Sequence, residues 1–492
     1  ARSAPMPNPI AFLALACFPL VVAVLYGRLP ADRALIWSIL AGYLFLPEPP
    51  AVFDFPAAPP LSKHNIPALM AFALAMWRHG PQGSLLPHSL LGKALVLIFI
   101  LSPAVTVLTN GEPVFWGQVG LPGLGLKDIL ALTIQQFLFL LPFLMARQFL
   151  ASGGAQRELL KALMIGGLVY SLLMLIEIRL SPQLNLWVYG FYQHQFGQSV
   201  RFGGYRPVVF LYHGLWVAFY TFMAVIAAWG LWRFSAGRNG AKLLLAALWL
   251  TTVLVLAKSL GAMIFLIALA PLVVLAPARL QVRIAILIGV LALAYPLLKG
   301  AALIPEETLL ARAAAIDPDR AASLRFRFTN ENTLLDRAYL KPLFGWGSWG
   351  RNHILDPVTG FILTVTDGRW IITIGVYGWV GFAAEFGLIL LPLLLIGREV
   401  RLARSQVSPL VGPLSLMLAA NLADMIPNAT LTPLTWLIVG ALTGYAESLR
   451  AERLRPASVD SRNTSTADPE QTGAPAPGWR PVIGAPTGKG GW

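Results

Sequence analysis

Apolar runs recur along this chain from Ile10 to Tyr445, and they limit its fold more than any other feature of the sequence. A run of about 20 apolar residues is long enough for a helix to cross the hydrocarbon core of a bilayer. Hydrophobic residues make up 57% of the chain and charged residues 12%, against about 25% charged residues in an ordinary soluble domain. Because the apolar excess extends over the whole body, the sequence predicts an all-α polytopic integral membrane protein.

About 12 or 13 transmembrane helices are predicted when this span length is applied along the chain. Several runs, such as residues 66–77, are short for a full crossing. The predicted segments lie near residues 10–26, 31–46, 66–77, 92–109, 128–146, 159–178, 208–232, 243–257, 260–277, 284–298, 371–396, 409–422 and 430–445.

Lysines and arginines cluster in alternate loops between these segments. Basic loop residues mark the cytoplasmic side of a membrane protein, so the alternation predicts a cytoplasmic C-terminus and, if the first segment spans, an N-terminus on the other side. The same rule accounts for much of the net charge of +14 without a nucleic-acid partner. The seven clusters are Arg28 and Arg33; Arg78 and Lys93; Arg147, Arg157 and Lys161; Arg233, Arg238 and Lys242; Arg279 and Arg283; Arg398, Arg401 and Arg404; and Arg450, Arg453 and Arg455.

Two unusual loops are predicted on the opposite face. Residues 179–207 are rich in aromatic residues, Gln and Gly, whereas residues 299–370 carry nine Lys or Arg against eight Asp or Glu. A loop as long as the second is commonly functional, and its "TLLDRAYLKPLFGWG" predicts a short amphipathic helix that ends at Pro342. We assign residues 1–447 to a transmembrane domain, and the Pro-, Gly-, Ser- and Thr-rich residues 448–492 to a disordered cytoplasmic tail.

Several kinds of chemistry find no support in the sequence. The only cysteine, Cys17, leaves no internal disulfide and no cysteine-based metal cluster. Phosphate loops of the Walker type and HExxH zinc motifs are not apparent. The predicted cytoplasmic loops are too short for a nucleotide-binding domain. We therefore expect any chemistry at the outer face or within the bilayer, without ATP bound by this chain.

Arginines on the predicted outer face break the positive-inside pattern and need a reason. A guanidinium group suits bidentate binding of phosphate, and a lipid diphosphate is the expected anion at this surface. The alternative is that individual arginines pair with local carboxylates and only stabilise the loops. The arginines concerned are Arg201, Arg206, Arg325, Arg327, Arg337, Arg351 and Arg369.

Other polar residues near the membrane are candidates for the same site. Lys258 lies between two apolar runs, where a cation is either functional or directed towards the lipid headgroups. Arg206 precedes Pro207, which predicts the first turn of a membrane helix at this point. His213 would then lie about two turns further along the same helix face, as a packing residue or a substrate contact.

Candidate proton acceptors lie in the second long loop. His353 can accept a proton near neutral pH without a shift of its pKa, and Asp367 can do so if it is buried. Glu385 lies deepest in an apolar segment, and nothing in the sequence supplies it with a partner.

Four motifs resemble those of the O-antigen ligase and Wzy-type polysaccharide polymerase superfamily, the integral membrane glycosyltransferases of the bacterial envelope. They are "GGYRP" before a mid-chain helix, "AKSLGAM" between two spans, "PLFGWG" after a short helix and "DGRWIITIGVYGWVGF" after the second long loop. The resemblance extends over most of residues 10–445. It implies transfer of a glycan from an undecaprenyl diphosphate carrier at the periplasmic face of the inner membrane, without metal or nucleotide.

The resemblance also implies roles for individual residues. Asp367 or His353 would accept the proton of the attacking sugar hydroxyl, while cations hold the diphosphate as the glycosidic bond breaks. The residues implied in diphosphate binding are Arg206, Lys258, Arg325, Arg327 and Arg351. Further contacts with substrate are implied for Arg201, Tyr205, His213, Arg337 and Arg369.

One position separates two branches of this superfamily. Ligases have a His-Asn pair before the helix that follows the large loop, whereas this chain has Asp367 and Gly368. The difference favours a polymerase, which joins lipid-linked repeat units of O-antigen, capsule or exopolysaccharide, over a ligase, which transfers the glycan to lipid A core or another acceptor. The expected partners are the lipid-linked oligosaccharide, membrane lipids and a chain-length regulator or other assembly protein. The alternative from another class is a polysaccharide or lipid transporter or flippase, which requires a cavity that reaches both faces.

Overall fold

The structure, a computed structural model, describes residues 6–55, 58–201, 203–235, 238–402 and 407–454. These ranges form α1 (Pro9–Arg28), α2 (Ala31–Phe45), α3 (Ile66–His79), α4 (Leu90–Leu108), β1 (Val114–Trp116), β2 (Val119–Leu121), α5 (Leu126–Phe149), α6 (Gly153–Leu180), α7 (Leu184–Tyr189), β3 (Val200–Arg201), β4 (Gly204–Tyr205), α8 (Gly214–Arg233), α9 (Arg238–Leu256), α10 (Leu260–Leu275), α11 (Ala278–Gly300), α12 (Glu306–Ile316), α13 (Pro318–Tyr339), α14 (Arg369–Leu402), α15 (Val411–Asp424) and α16 (Pro433–Leu454). The strands form two small antiparallel hairpins, β1–β2 and β3–β4.

The predicted all-α membrane fold is confirmed. Eight helices in the described ranges are long and apolar enough to cross a bilayer, and these are α1, α4, α5, α6, α8, α9, α11 and α14. Four shorter helices, α2, α3, α10 and α15, have 14 to 16 residues, and α16 has 22. Every predicted membrane segment falls on one of these helices. The number of crossings beyond the eight long apolar helices remains a prediction.

Small residues allow close helix packing where α5 meets α16. A Cβ atom at Gly440 would lie 2.3 Å from the carbonyl oxygen of Phe143, and one at Gly444 would lie 2.2 Å from that of Arg147. Lipid tails are as apolar as the side chains, so helices in a membrane associate through close packing and not through a hydrophobic driving force. Glycines four residues apart allow this close approach of the helix backbones. The spacing of these glycines therefore fixes α16 against α5.

The connections between helices meet at two ends of the bundle. At what we call the long-loop end, Lys63 Nζ, in the α2–α3 connection, donates to the Phe210 carbonyl oxygen before α8 at 2.8 Å. The start of α1 lies at this end too, because the Asn8 amide donates to the Tyr189 carbonyl oxygen at 2.9 Å. The connections after α4, α9, α11 and α15 join it through further hydrogen bonds.

The opposite end of the bundle, which we call the short-loop end, holds the other connections. The Gln82 amide after α3 donates to Gln148 Oε1 at the end of α5 at 3.1 Å, and Ser448 Oγ of α16 donates to the Ala151 carbonyl oxygen at 3.2 Å. The predicted basic clusters lie at the helix ends that meet here, apart from Arg404 and Arg455, which lie outside the described residues.

The helix predicted from residue 208 begins later, at Gly214, with His213 as its N-cap. Residues 207–213 are not helical because side chains of α6 take their amides: Glu177 Oε2 accepts from Val208 and Val209, both at 2.8 Å. The predicted helical positions of Arg206 and His213 are therefore wrong. The amide groups that a helix would use are already bound by a carboxylate distant in sequence.

The connection from α11 to α14 contains helices, as predicted, but they are longer than expected. The short amphipathic helix predicted around Leu335 is the last part of α13, which has 22 residues and ends before Pro342. At the other end of the chain, α16 continues past the predicted domain boundary at residue 447 to Leu454. The rest of the predicted tail, residues 455–492, lies outside the described residues.

Helix α14 is broken at Gly378, which has φ 69° and ψ −171°. Residues 342–347 dock in this break: the Trp379 amide donates to the Pro342 carbonyl oxygen at 2.8 Å, and the Trp346 amide donates to that of Gly375 at 2.9 Å. A Cβ atom at Gly378 would lie 2.2 Å from the carbonyl oxygen of Leu343. Both the backbone conformation and the space therefore require glycine at this position.

Replacing Gly378 is expected to destabilise the protein. Gly378→Ala adds a methyl group against backbone and places a side chain in a region of φ and ψ that is essentially restricted to glycine, at a cost of about 3 kcal/mol or more. The matched control is Gly261→Ala, where a Cβ atom meets nothing within 4 Å. Thermal unfolding in detergent should show a lower midpoint for the first variant and an unchanged one for the second, whereas equal midpoints would contradict the assigned break.

Candidate functional site

The long-loop end carries what we call the cation cluster, formed by Arg201, Arg206 and Lys258. Arg206 is 8% exposed, and its Nη2 donates to the Lys258 carbonyl oxygen at 3.2 Å. Its Nε atom is buried and has no hydrogen-bond partner among the described residues. The side chain lies against the start of α8, since a Cβ atom at Gly214 would meet Arg206 Cδ at 2.3 Å.

Burial and like charge dominate the electrostatics of this cluster. Burial, together with the charge of Arg201, lowers the pKa of Arg206 to about 10, so the guanidinium remains charged at neutral pH. No carboxylate in the described residues forms an ion pair with Arg201 or Arg206. The N-terminus of α8 adds the positive end of a helix dipole. The cluster is therefore a strongly positive, partly desolvated place suited to an anion.

The β3–β4 hairpin positions the exposed part of the cluster. Arg201 pairs with Gly204 across the hairpin, and its carbonyl oxygen accepts from Lys258 Nζ at 3.3 Å. A Cβ atom at Gly204 would lie 2.3 Å from that Nζ atom, so a glycine is needed for the lysine to approach. The Tyr205 ring lies half-buried beside Phe196, with ring centres 6.4 Å apart.

His213 has a structural position beside this cluster. Its Nδ1 atom accepts from the Leu215 amide at 3.1 Å as the N-cap of α8, and its Nε2 atom lies 3.2 Å from Gln198 Oε1. Burial, with the nearby charges of His194, Arg206 and Arg201, lowers the pKa of His213 to about 3, so the ring is neutral. Both ring nitrogens are engaged, which favours the packing role over substrate contact.

A second group of predicted residues meets where α13 approaches the start of α14. Arg327 Nε lies 3.5 Å from Asp367 Oδ2, and both side chains are 37% exposed. Arg325, two residues earlier, is exposed and forms no ion pair among the described residues. The structure thus brings one candidate base, Asp367, to one candidate phosphate ligand, Arg327.

Arg351 is held by backbone carbonyl groups instead of being open to a ligand. It is 1% exposed, and its Nε, Nη1 and Nη2 atoms donate to the carbonyl oxygens of Trp346 at 3.1 Å, Pro122 at 2.7 Å and Glu112 at 3.0 Å. A diphosphate would have to displace these bonds. We therefore give Arg351 a structural role, contrary to the diphosphate-binding role implied by the resemblance.

Arg337 and Arg369 are also engaged within the protein. The Arg337 guanidinium stacks on Trp346, 3.4 Å from the ring centre, and burial lowers its pKa to about 10. Arg369 forms a bidentate ion pair with the fully buried Glu385, with Nε to Oε1 at 2.7 Å and Nη2 to Oε2 at 2.5 Å. Glu385 therefore has the partner that the sequence did not reveal, and both arginines primarily stabilise the fold.

His353 lies apart from Asp367. Its Nδ1 atom is 3.1 Å from Thr364 Oγ1, and burial lowers the pKa of the ring, so the imidazole is neutral at neutral pH. The two predicted bases share no hydrogen-bond partner among the described residues.

A polar group that sequence analysis missed lies in the α2–α3 connection. Glu48 is 2% exposed, with Oε1 3.0 Å from Lys63 Nζ and Oε2 3.1 Å from His64 Nε2. Burial alone would raise the pKa of this carboxyl, but Lys63, together with the His64 ring, outweighs burial and lowers the pKa of Glu48 to about 2. The only signal in the sequence was the polar "SKHN" at the end of a proline-rich loop.

Three neighbouring cavities lie alongside α5 at the long-loop end, and together we call them the α5 cleft. The largest, of about 820 Å³, shares Pro59, Pro60 and Gln135 with the second, of about 370 Å³. The second shares His64 and Phe139 with a narrow cavity of about 50 Å³ that reaches Arg369. The cleft thus leads from the start of α5 towards the Arg369–Glu385 pair.

Known proteins give no further guide to this site. No family model matches the chain, and a search of curated proteins finds no relative. Within the described ranges, no group of three or more His, Cys, Asp or Glu residues is arranged to hold a metal ion.

Proposed function

We propose that this protein polymerises lipid-linked oligosaccharide repeat units at the periplasmic face of the bacterial inner membrane. The observation that carries the proposal is the cation cluster: a buried arginine with an unpartnered Nε at a helix N-terminus, beside Arg201 and Lys258. Its distance from the basic short-loop end fits a site on the side away from the cytoplasm. An anion carried by a membrane lipid, such as undecaprenyl diphosphate, matches this position and charge.

Arg206, Arg201 and Lys258 would bind the diphosphate of the donor. As the bond between the anomeric carbon and the phosphate oxygen breaks, its electron pair leaves with undecaprenyl diphosphate, and the cations stabilise the charge that develops. Such groups act strongly in a partly dry site, since they are already oriented before the reaction. Arg325 and Arg327 lie on the loop helix α13 and are the remaining candidates for the diphosphate or the glycan.

The acceptor is the sugar hydroxyl of another lipid-linked unit. Its oxygen attacks the anomeric carbon while its proton passes to a base, with inversion at that carbon if no covalent intermediate forms. Asp367, held by Arg327, and His353, held by Thr364, are the two bases implied by the resemblance. The choice of polymerase over ligase rests on Asp367 and Gly368, where ligases have His-Asn.

The α5 cleft favours an enzyme over a transporter. Its largest cavity is lined by residues of the long-loop connections and the start of α5, such as Asp54, Lys127 and Trp349. Transport would need a cavity that opens alternately to both faces.

The proposal is tested by incubating the purified protein, in lipid nanodiscs, with the undecaprenyl diphosphate oligosaccharide pool extracted from cells that carry the gene. Glycans of two or more repeat units should accumulate on the lipid carrier. Binding of the pool without any increase in glycan length would exclude a polymerase, and transfer to added lipid A core would indicate the ligase instead.

A further inference from the structure

The widest part of the α5 cleft has the composition of a sugar-binding surface. Two exposed aromatic side chains line it, Trp349 at 57% and Phe55 at 51% exposed. Asp54 and Gln135 add hydrogen-bonding groups to the same wall. Aromatic faces with a few polar groups bind the apolar faces and the hydroxyl groups of sugar rings.

His64 lies at the inner end of the cleft and lines both of its smaller cavities. The side chain is 36% exposed, and its Nε2 atom faces the buried carboxylate of Glu48 at 3.1 Å. No hydrogen bond involves its Nδ1 atom in the part of the chain that the structure describes. With Nε2 turned towards this carboxylate, Nδ1 is the ring nitrogen left for a ligand.

Glu48 itself cannot move away from this arrangement easily. Its other oxygen lies 3.0 Å from Lys63 Nζ, which is fully buried and also donates to the Phe210 carbonyl oxygen at 2.8 Å. The connection is thus fixed to the segment before α8, which carries Arg206 at its start.

We propose that the α5 cleft binds the acceptor glycan and that His64 accepts the proton of its attacking hydroxyl. This inference rests on the polymerase function proposed above. In the transfer step the hydroxyl oxygen forms the bond to the anomeric carbon, the carbon–phosphate-oxygen bond breaks with its electron pair leaving on the diphosphate, and the hydroxyl proton goes to His64 Nδ1. His64 thereby takes the role that the resemblance gave to Asp367 or His353.

His64→Gln tests the catalytic part of the inference. Chain extension should slow by about 100-fold to 10,000-fold, the usual contribution of a general base. Binding of undecaprenyl diphosphate to the nanodiscs should stay within about twofold of wild type, since the cation cluster is intact. His88→Gln is the control, because His88 is an exposed histidine beside Glu447 at the short-loop end.

Trp349→Asn tests the binding part with a residue whose loss should not impair folding. Trp349 has φ 59°, a conformation that asparagine tolerates, and its ring is exposed. Binding of the repeat oligosaccharide, released from its lipid by mild acid, should weaken about tenfold. Unchanged binding in this variant would overturn the assigned cleft.

The outcomes separate the two levels of the proposal. If His64→Gln extends glycans at the wild-type rate, His64 is not the base, while the polymerase function stands. If the wild-type protein neither extends glycans nor binds undecaprenyl diphosphate, the polymerase function fails and this inference fails with it.

Discussion

Arg206→Ala is expected to lower the rate of chain extension by about 100-fold to 1,000-fold, the loss found when one oriented group that stabilises a transition-state charge is removed. The reason is that Arg206 supplies a buried guanidinium with a free Nε at the N-terminus of α8. Arg206→Lys should recover only part of the rate, since an ammonium group cannot bind an anion through two parallel bonds. The rate is measured from the lengthening of labelled lipid-linked glycan.

The control for this experiment is Arg179→Ala. Arg179 is exposed near the end of α6 at the same end of the bundle, and it carries the same charge. Its loss should leave the rate within about twofold of wild type, since single surface charges contribute little. Equal losses in the two variants would mean that only net charge matters. Full activity of Arg206→Ala, with the protein folded, would remove Arg206 from the mechanism.

Glu385→Ala is expected to lower the free energy of unfolding by about 3–5 kcal/mol, the cost of removing one partner from a buried ion pair. Glu385 is fully buried, and its two oxygens accept from Arg369 Nε and Nη2 while Thr373 Oγ1 donates to Oε1 at 2.9 Å. Its removal leaves the guanidinium without a counter-charge in a poorly solvated place. Unfolding by a denaturing detergent in mixed micelles measures the difference.

The double variant Arg369→Met, Glu385→Leu distinguishes loss of charge balance from loss of packing. Replacing both partners by apolar residues is often neutral, so stability should largely return. The control is Arg33→Ala, which breaks a surface pair in which Arg33 Nε lies 3.1 Å from Glu158 and is 48% exposed. That change should cost at most about 1 kcal/mol. If Glu385→Ala costs no more than Arg33→Ala, the ion pair does not hold α14 as described.

The helices could be predicted because the length of an apolar run is a local property of the chain. The break in helix α14 could not be predicted, because it depends on contacts with residues outside that helix. Arg369 and Glu385 are 16 residues apart, which would separate their Cα atoms by about 24 Å on a straight helix, yet their side chains meet at 2.7 Å. The Gly378 break makes this contact, and residues 342–347 fill the break.

Prediction of the candidate site from the sequence is limited in the same way, by contacts between residues distant along the chain. Sequence analysis identified Arg206 and Lys258, and the structure places them in contact. The sequence alone does not distinguish these two residues from Arg351, whose guanidinium donates to the carbonyl oxygen of Pro122, 229 residues away. His64 was missed because its significance depends on Glu48, on the other side of a proline-rich turn, and on a cleft formed with α5. Residue type indicates which side chains can bind a phosphate, and folding decides which of them remain open to it.

The polymerase reaction is tested most directly by its stoichiometry in lipid nanodiscs that contain only this protein and the lipid-linked oligosaccharide pool, with EDTA present. We expect one free undecaprenyl diphosphate for every new glycosidic bond, because the diphosphate leaves bound to arginine and lysine side chains and needs no added metal ion. Glycan lengthening without release of undecaprenyl diphosphate, or no lengthening until a divalent metal is restored, would contradict it.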